Sequence, residues 1–201
     1  MNEAEALHPT TELHPTTELL AAMIPEVRAS PADGGTLELI VARPAIDQRS
    51  TLDEAELHPD HGLVGDNWAD RPSSRDGNGG FLVDTQLNIM NARAAAAVAA
   101  QPDRWALAGD QLYFDLDLSE ANLPPGTRLQ VGRAVIEVTA EPHTGCAKFA
   151  ARFGRAAVRW VNSAEGKELK LRGINARVVT AGTIRTGDPI TKLPPGTQPI
   201  E

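Results

Sequence analysis

Short segments of alternating apolar and polar residues, each closed by glycine, proline or aspartate, recur along most of this chain and restrict what it can fold into. "GGTLELIVARP" (34–44) predicts a strand with Leu37, Leu39 and Val41 on one face. "FLVDTQLNIM" (81–90) and "GDQLYFDLDLS" (109–119) predict two more. "RLQVG" and "AVIEVT" predict a tight β pair around Gly132. "INARVVTAGTIRTGDPITKL" (174–193) adds two strands separated by Gly182 and closed by Gly187-Asp188-Pro189. Between them, "NARAAAAVAA" predicts a helix from Asn91 that stops before Pro102. Short strands, glycine-rich corners and few helices predict a mainly β fold, a bent sheet closing toward a β-barrel.

Some of the chain lies outside this pattern. "LHPTTE" occurs twice in tandem, at 7–12 and 13–18, too short a unit for a solenoid. It predicts a mobile arm over 1–35, ending in a short helix "TELLAAMIPEV" that Thr17 can cap. Residues 45–80, rich in Asp, Pro and Gly, predict a long irregular stretch, functional or disordered. One barrel domain over 36–192 and a tail over 193–201 complete the expected organisation.

The net charge of −8 argues against nucleic acid or an anionic membrane as partner. The N-terminus lacks a signal-peptide layout, and "AAAAVAA" is too short to span a bilayer, so a cytoplasmic location is expected. The acidic balance hides an asymmetry. From Cys146 to Arg177 the chain carries +6, which leaves −14 for the rest. That segment reads either as a solvated face or as an anion site.

Cys146 is the sole cysteine and opens the basic segment. Thr144 is a candidate N-cap, which places Gly145 and Cys146 in a first helical turn. Phe149, Phe153, Ala156/Ala157 and Trp160 form an apolar stripe, and Lys148, Arg152, Arg155 and Arg159 a basic one. Gly154 is placed to split the helix. A first-turn thiol near His143 and Lys148 favours the thiolate, which can act as nucleophile, metal ligand or persulfide carrier. Alternatively Cys146, which falls on the apolar stripe, is a small buried hydrophobe and inert. A Cys146–His143 nucleophile pair lacks a third member. His58 and His61, with Asp60 or Asp66, read better as a solvated loop than as a metal site. "GNGG" (77–80) precedes no helix and reads as flexible loop.

Taken in order, these landmarks resemble the MOSC domain, named for the C-terminal domain of molybdenum cofactor sulfurases. "GLVGDNW" (62–68) is similar to its Gly-x-x-Gly-Asp loop, and "TQLNIMNARA" (85–94) to its strand-to-helix segment. "GDQLYFDLDLSEANLPPGTRLQVGRAVIEVT" (109–139) is the closest match. "HTGCAKFAARFG" carries the family cysteine as Cys146, and "GINARVVTAGTIRTGDPI" (173–190) resembles the closing strands. The resemblance implies a compact β-barrel that binds the molybdenum cofactor or carries metal-bound sulfur. It implies Cys146 as catalytic group and molybdenum ligand. His143, Thr144, Lys148, Arg152, Arg172, Gly65 and Asp66 are then the cofactor-binding candidates.

Two departures stand out. Gly145 replaces the proline common before the cysteine, and Asn67-Trp68 replaces the basic residue that often follows the Gly-Asp loop. The chain also offers no pyridoxal-phosphate desulfurase domain, so that cofactor has no support. The implied function is a small molybdenum-dependent oxidoreductase, a reductase of N-hydroxylated compounds fed by an external electron-transfer protein. The alternatives are a persulfide carrier served by a sulfur donor, and a barrel adaptor with an inert cysteine.

Overall fold

The computed structural model describes residues 14–71, 80–145 and 147–194. In chain order its elements are α1 (Thr17–Ala22), α2 (Ile24–Arg28), β1 (Gly35–Ala42), β2 (Ser50–Leu52), β3 (Glu54–His58), β4 (Gly62–Leu63), β5 (Leu87–Asn91), α3 (Ala92–Ala99), β6 (Leu112–Asp115), β7 (Arg128–Val131), β8 (Ala134–Val138), α4 (Ala147–Val161), α5 (Ala164–Glu168), β9 (Ile174–Thr180), β10 (Gly182–Arg185) and β11 (Pro189–Lys192).

Strands pair in the order β11-β7-β8-β9-β5-β6-β1, and β1 returns to pair with β11, so seven strands close a mixed barrel. The β5–β6 pair is parallel and is joined through α3; the remaining pairs are antiparallel. β2 extends β1 beyond the closure, and β10-β3-β4 form a small separate sheet. Closure removes the open edges that a sheet of this size would otherwise expose.

Local chemistry explains several elements. The Asn91 side chain accepts from the Ala94 N–H at 2.9 Å and starts α3, which stops at Ala100 with φ 61°. The β7–β8 hairpin pairs Val131 with Ala134. Its turn needs a positive φ at Gly132 (53°), where a Cβ would also meet the Asp188 carboxylate and the Thr183 carbonyl. α4 is broken at Gly154, as expected, where φ is 87° and His14 packs against the backbone.

Two apolar cores result. Leu37, Ile89, Phe114, Ile136 and Ala176 fill the barrel. Leu20, Val27, Val41, Met90, Tyr113, Phe149 and Phe153 form a second layer between the barrel wall and the helices. A bulge between Leu37 and Leu39 divides β1 between these layers, so Leu37 does not share a face with Leu39 and Val41 as simple alternation predicts.

Other expectations need correcting. The α1 cap is Thr16, whose hydroxyl accepts from the Leu19 N–H at 3.3 Å; Thr17 is the first helical residue. Residues 45–71 are less irregular than their composition implies, since β2, β3 and β4 fall there. The predicted strand over 81–90 forms a continuous strand only from Leu87 onward, and Val83–Thr85 form a 3-10 turn. The closing segment makes three strands, not two. The first "LHPTTE" copy and most of "GNGG" lie outside the described residues. No helix among the described residues is long and apolar enough to cross a membrane.

Candidate functional site

One rim of the barrel gathers the end of β1, the starts of β5, β6 and β9, and the loop after β8. Arg43, directly after β1, is buried there and fully engaged. Its Nε and Nη2 donate to the Asp66 carboxylate at 2.7 and 3.0 Å. Its Nη1 donates to Asn88 Oδ1 and the Gly109 carbonyl, both at 2.8 Å. The Asp66 carboxylate also accepts from the Trp68 N–H at 2.9 Å. The Gly-Asp loop therefore acts through Asp66 as an anchor for Arg43. Gly65, at φ 88°, shapes the turn beside it, and neither residue lines the cavity described next.

That cavity, of about 360 Å³, is lined by Arg43, Arg49, Arg71, Lys148, Arg152 and Arg172, together with Asp47, Asn88 and His143. Arg152 donates to the Leu107 carbonyl at 2.8 Å and to the exposed Asp47 at 3.0 Å. Gly109 (φ 94°) lies under the cluster, and a Cβ there would touch the guanidinium groups of Arg49 and Arg152. Arg172 is buried, with Nη1 on both Asp110 oxygens at 2.9 and 2.7 Å and its guanidinium 5.0 Å from the Phe149 ring centre.

The guanidinium groups disturb one another. Burial, then Arg152 and Arg43, lower the Arg49 pKa. Burial and Arg43 bring that of Arg71 down to about 10. The Nε atoms of Arg49 and Arg172 are buried with no hydrogen-bond partner among the described residues. Partly buried cations crowded in this way are stabilised by an anion between them.

His143 borders the same cavity. Its Nδ1 is buried 3.5 Å from Asp110 Oδ1. Nδ1 has no hydrogen-bond partner among the described residues, so Asp110 acts on the ring through its charge. Burial first, then Arg172, lower its pKa to about 4, with Asp110 opposing, so the ring is neutral at pH 7.

Of the residues singled out in the sequence, His143, Lys148, Arg152 and Arg172 come together in this lining. Thr144 lines a neighbouring cavity; it stands three residues before α4 rather than capping it. Cys146 lies outside the described residues. It follows Gly145, whose N–H and carbonyl are both bound by the Asn162 side chain at 3.1 Å, and it precedes the helix that supplies Lys148 and Arg152. Arg155 and Arg159 are not in the lining.

Arg43, Arg49, Arg71, Asn88 and Asp110 were not legible as site residues, since each is isolated in sequence and only barrel closure brings them together. His58 and His61 stack at 5.1 Å on the surface, and the described residues contain no cluster of three or more metal-ligating side chains.

The family model for the MOSC domain matches residues 76–191. The chain belongs to the MOSC domain family. That family is associated with molybdenum cofactor binding. Among solved structures, the YuaD protein of Bacillus subtilis superposes with TM-score 0.56 at 19% identity, over 78% of this chain and 93% of that one. YiiM from Escherichia coli gives TM-score 0.52 at 19% identity, over 81% of this chain and 72% of its own. At such identities these likenesses establish the MOSC fold alone. No curated protein matches the chain.

Proposed function

We propose that this MOSC protein binds the molybdenum cofactor, with the cofactor's phosphate in the arginine cavity and Cys146 as the sulfur ligand. We further infer that it is a small reductase of N-hydroxylated compounds. The observation that carries this reading is the set of five arginines and one lysine lining a single cavity, with the buried Nε atoms of Arg49 and Arg172 left without partners among the described residues. A phosphate supplies the charge and acceptors they lack. Arg49, Arg71, Arg152 and Lys148 would hold it, on a base fixed by the Arg43–Asp66 and Arg172–Asp110 pairs.

When bound, the cofactor supplies a two-electron redox centre. The remaining work falls to this chain. Phe149 and Arg172 form an apolar and cationic wall beside the loop that leads to Cys146. His143, neutral and flanked by Asp110 and Arg172, borders the cavity and would orient the bound molecule there. Electrons must come from a separate donor protein.

The test is molybdenum and pterin content after expression in a molybdate-replete host, for wild type, Cys146→Ser and Arg152→Met. The reading predicts both in the wild type and loss of molybdenum together with pterin in Cys146→Ser and in Arg152→Met. Wild-type protein empty of both, from a host that loads other molybdoenzymes, would overturn it.

A further inference from the structure

A second cavity, of about 370 Å³, adjoins the cationic one and shares His143 and Arg172 with it. Leu123, Val138, Val161 and Ile174 contribute apolar surface to its lining, and all four are buried. Residues 142–144 border it while Lys148 and Phe149 border the other cavity, so the segment leading to residue 146 runs between the two. The wall on this side is held in place. Asn162 clamps Gly145, and Lys170 keeps a left-handed φ of 51° while the Gly173 N–H bonds its carbonyl at 2.7 Å.

The charges of the two cavities differ. In the first, among the described residues, Arg49, Lys148 and Arg152 face Asp47 alone, and Arg71 shares at 3.6 Å the Asp66 carboxylate that Arg43 already engages, while Arg172 is matched to Asp110. In the second, Lys170 Nζ is 3.0 Å from Glu120, Arg172 is matched by Asp110, and the lining holds one further cation, Lys167, and one further carboxylate, Glu141. An anion is drawn to the first and gains nothing from the second. An uncharged, largely apolar molecule gains burial in the second without stripping water from an unpaired charge.

We propose that this second cavity is a binding site for an uncharged, mainly apolar organic molecule of one or two rings. Its polar end would point to His143 and Arg172, at the wall common to both cavities. As the substrate site of the reaction above it rests on that reading; as a binding site it does not.

The experiment titrates the full chain with benzamide, benzoate and benzamidine, which share a ring and differ in charge. Backbone amide shifts are read by NMR, with inorganic phosphate present to occupy the cationic cavity. Benzamide should shift the amides of Thr139, Thr144 and Ile174 and bind at least about threefold more tightly than either charged relative. The exposed substitution Glu141→Lys should raise benzoate affinity about tenfold, and Lys167→Glu should do the same for benzamidine. No benzamide shifts at these amides, or a preference that neither substitution alters, would overturn the proposal. Phosphate binding at the arginines without benzamide binding would defeat this site alone. Benzamide binding without phosphate binding would leave it standing and defeat the cofactor reading.

Discussion

Arg71 should destabilise the empty protein and stabilise the anion-bound one, and replacing it separates the two effects. Its pKa is lowered from 12.5 to about 10 by burial and by Arg43, with Asp66 at 3.6 Å opposing. At 1.36 kcal/mol per pKa unit the charged form is disfavoured by roughly 3 kcal/mol. The side chain is 32% exposed, and solvent screening cuts that figure to about half. Arg71→Met also removes the 2.6 Å bond from Nε to Asn67, which costs about 1 kcal/mol. In anion-free, low-salt buffer the variant should therefore be more stable than wild type by about 0.5–1 kcal/mol, a rise of roughly 2 °C in Tm. Losing one phosphate contact should weaken anion binding about tenfold, which removes about 1.4 kcal/mol of ligand-linked stability at saturation. The order of the two melting temperatures should then reverse when phosphate is added. Thermal unfolding with and without phosphate reads this directly. A variant destabilised equally in both buffers would refute the reasoning, because Arg71 would then be an ordinary structural residue.

Two further predictions follow from the same cluster. His143 has its pKa lowered from 6.5 to about 4, so between these values the folded chain binds fewer protons than the unfolded one and loses stability as the pH falls. Relative to His143→Gln, the wild type should lose up to about 3 kcal/mol between pH 6.5 and 4, measured by urea unfolding; parallel pH profiles would contradict this. Asp47 occupies Arg152 at 3.0 Å and Lys148 at 4.0 Å on a solvent-exposed loop, where it competes with an incoming anion. Asp47→Asn, which tolerates the φ of 59°, should tighten phosphate binding about threefold at low salt, with the gain shrinking as salt rises; calorimetry showing no change would remove Asp47 from the account.

What the sequence revealed follows the range of the forces involved. The Asn91 cap and the Gly132 turn depend on neighbours within a few residues, and both are legible locally. The β1 bulge is not, because Leu37 and Leu39 divide between two layers that only tertiary packing creates. β2 and β3 are short and carry exposed polar residues, and β4 is only two residues long, so alternation gives little signal; pairing of β2 with β1, of β3 with β10 and of β4 with β3 makes them strands. In the site, Lys148, Arg152 and Arg172 stand out because one basic segment supplies them, and His143 because it sits beside the cysteine. Arg43 directly follows an apolar strand and Arg49 and Arg71 are single arginines in polar stretches, so no local pattern marks any of them. Asp66 was legible as part of the Gly-Asp loop, but its partner Arg43 was not, so its anchoring role emerged only from the fold.

The central claim is that an oxyanion binds between Arg49, Arg71 and Arg152. The most direct measurement is anomalous diffraction from crystals soaked in dilute tungstate, a phosphate-shaped ion whose heavy atom locates itself. The account predicts a peak in the arginine cavity, in contact with those three guanidinium groups, which disappears in crystals of Arg152→Met. Tungstate bound only elsewhere on the wild-type protein would contradict it.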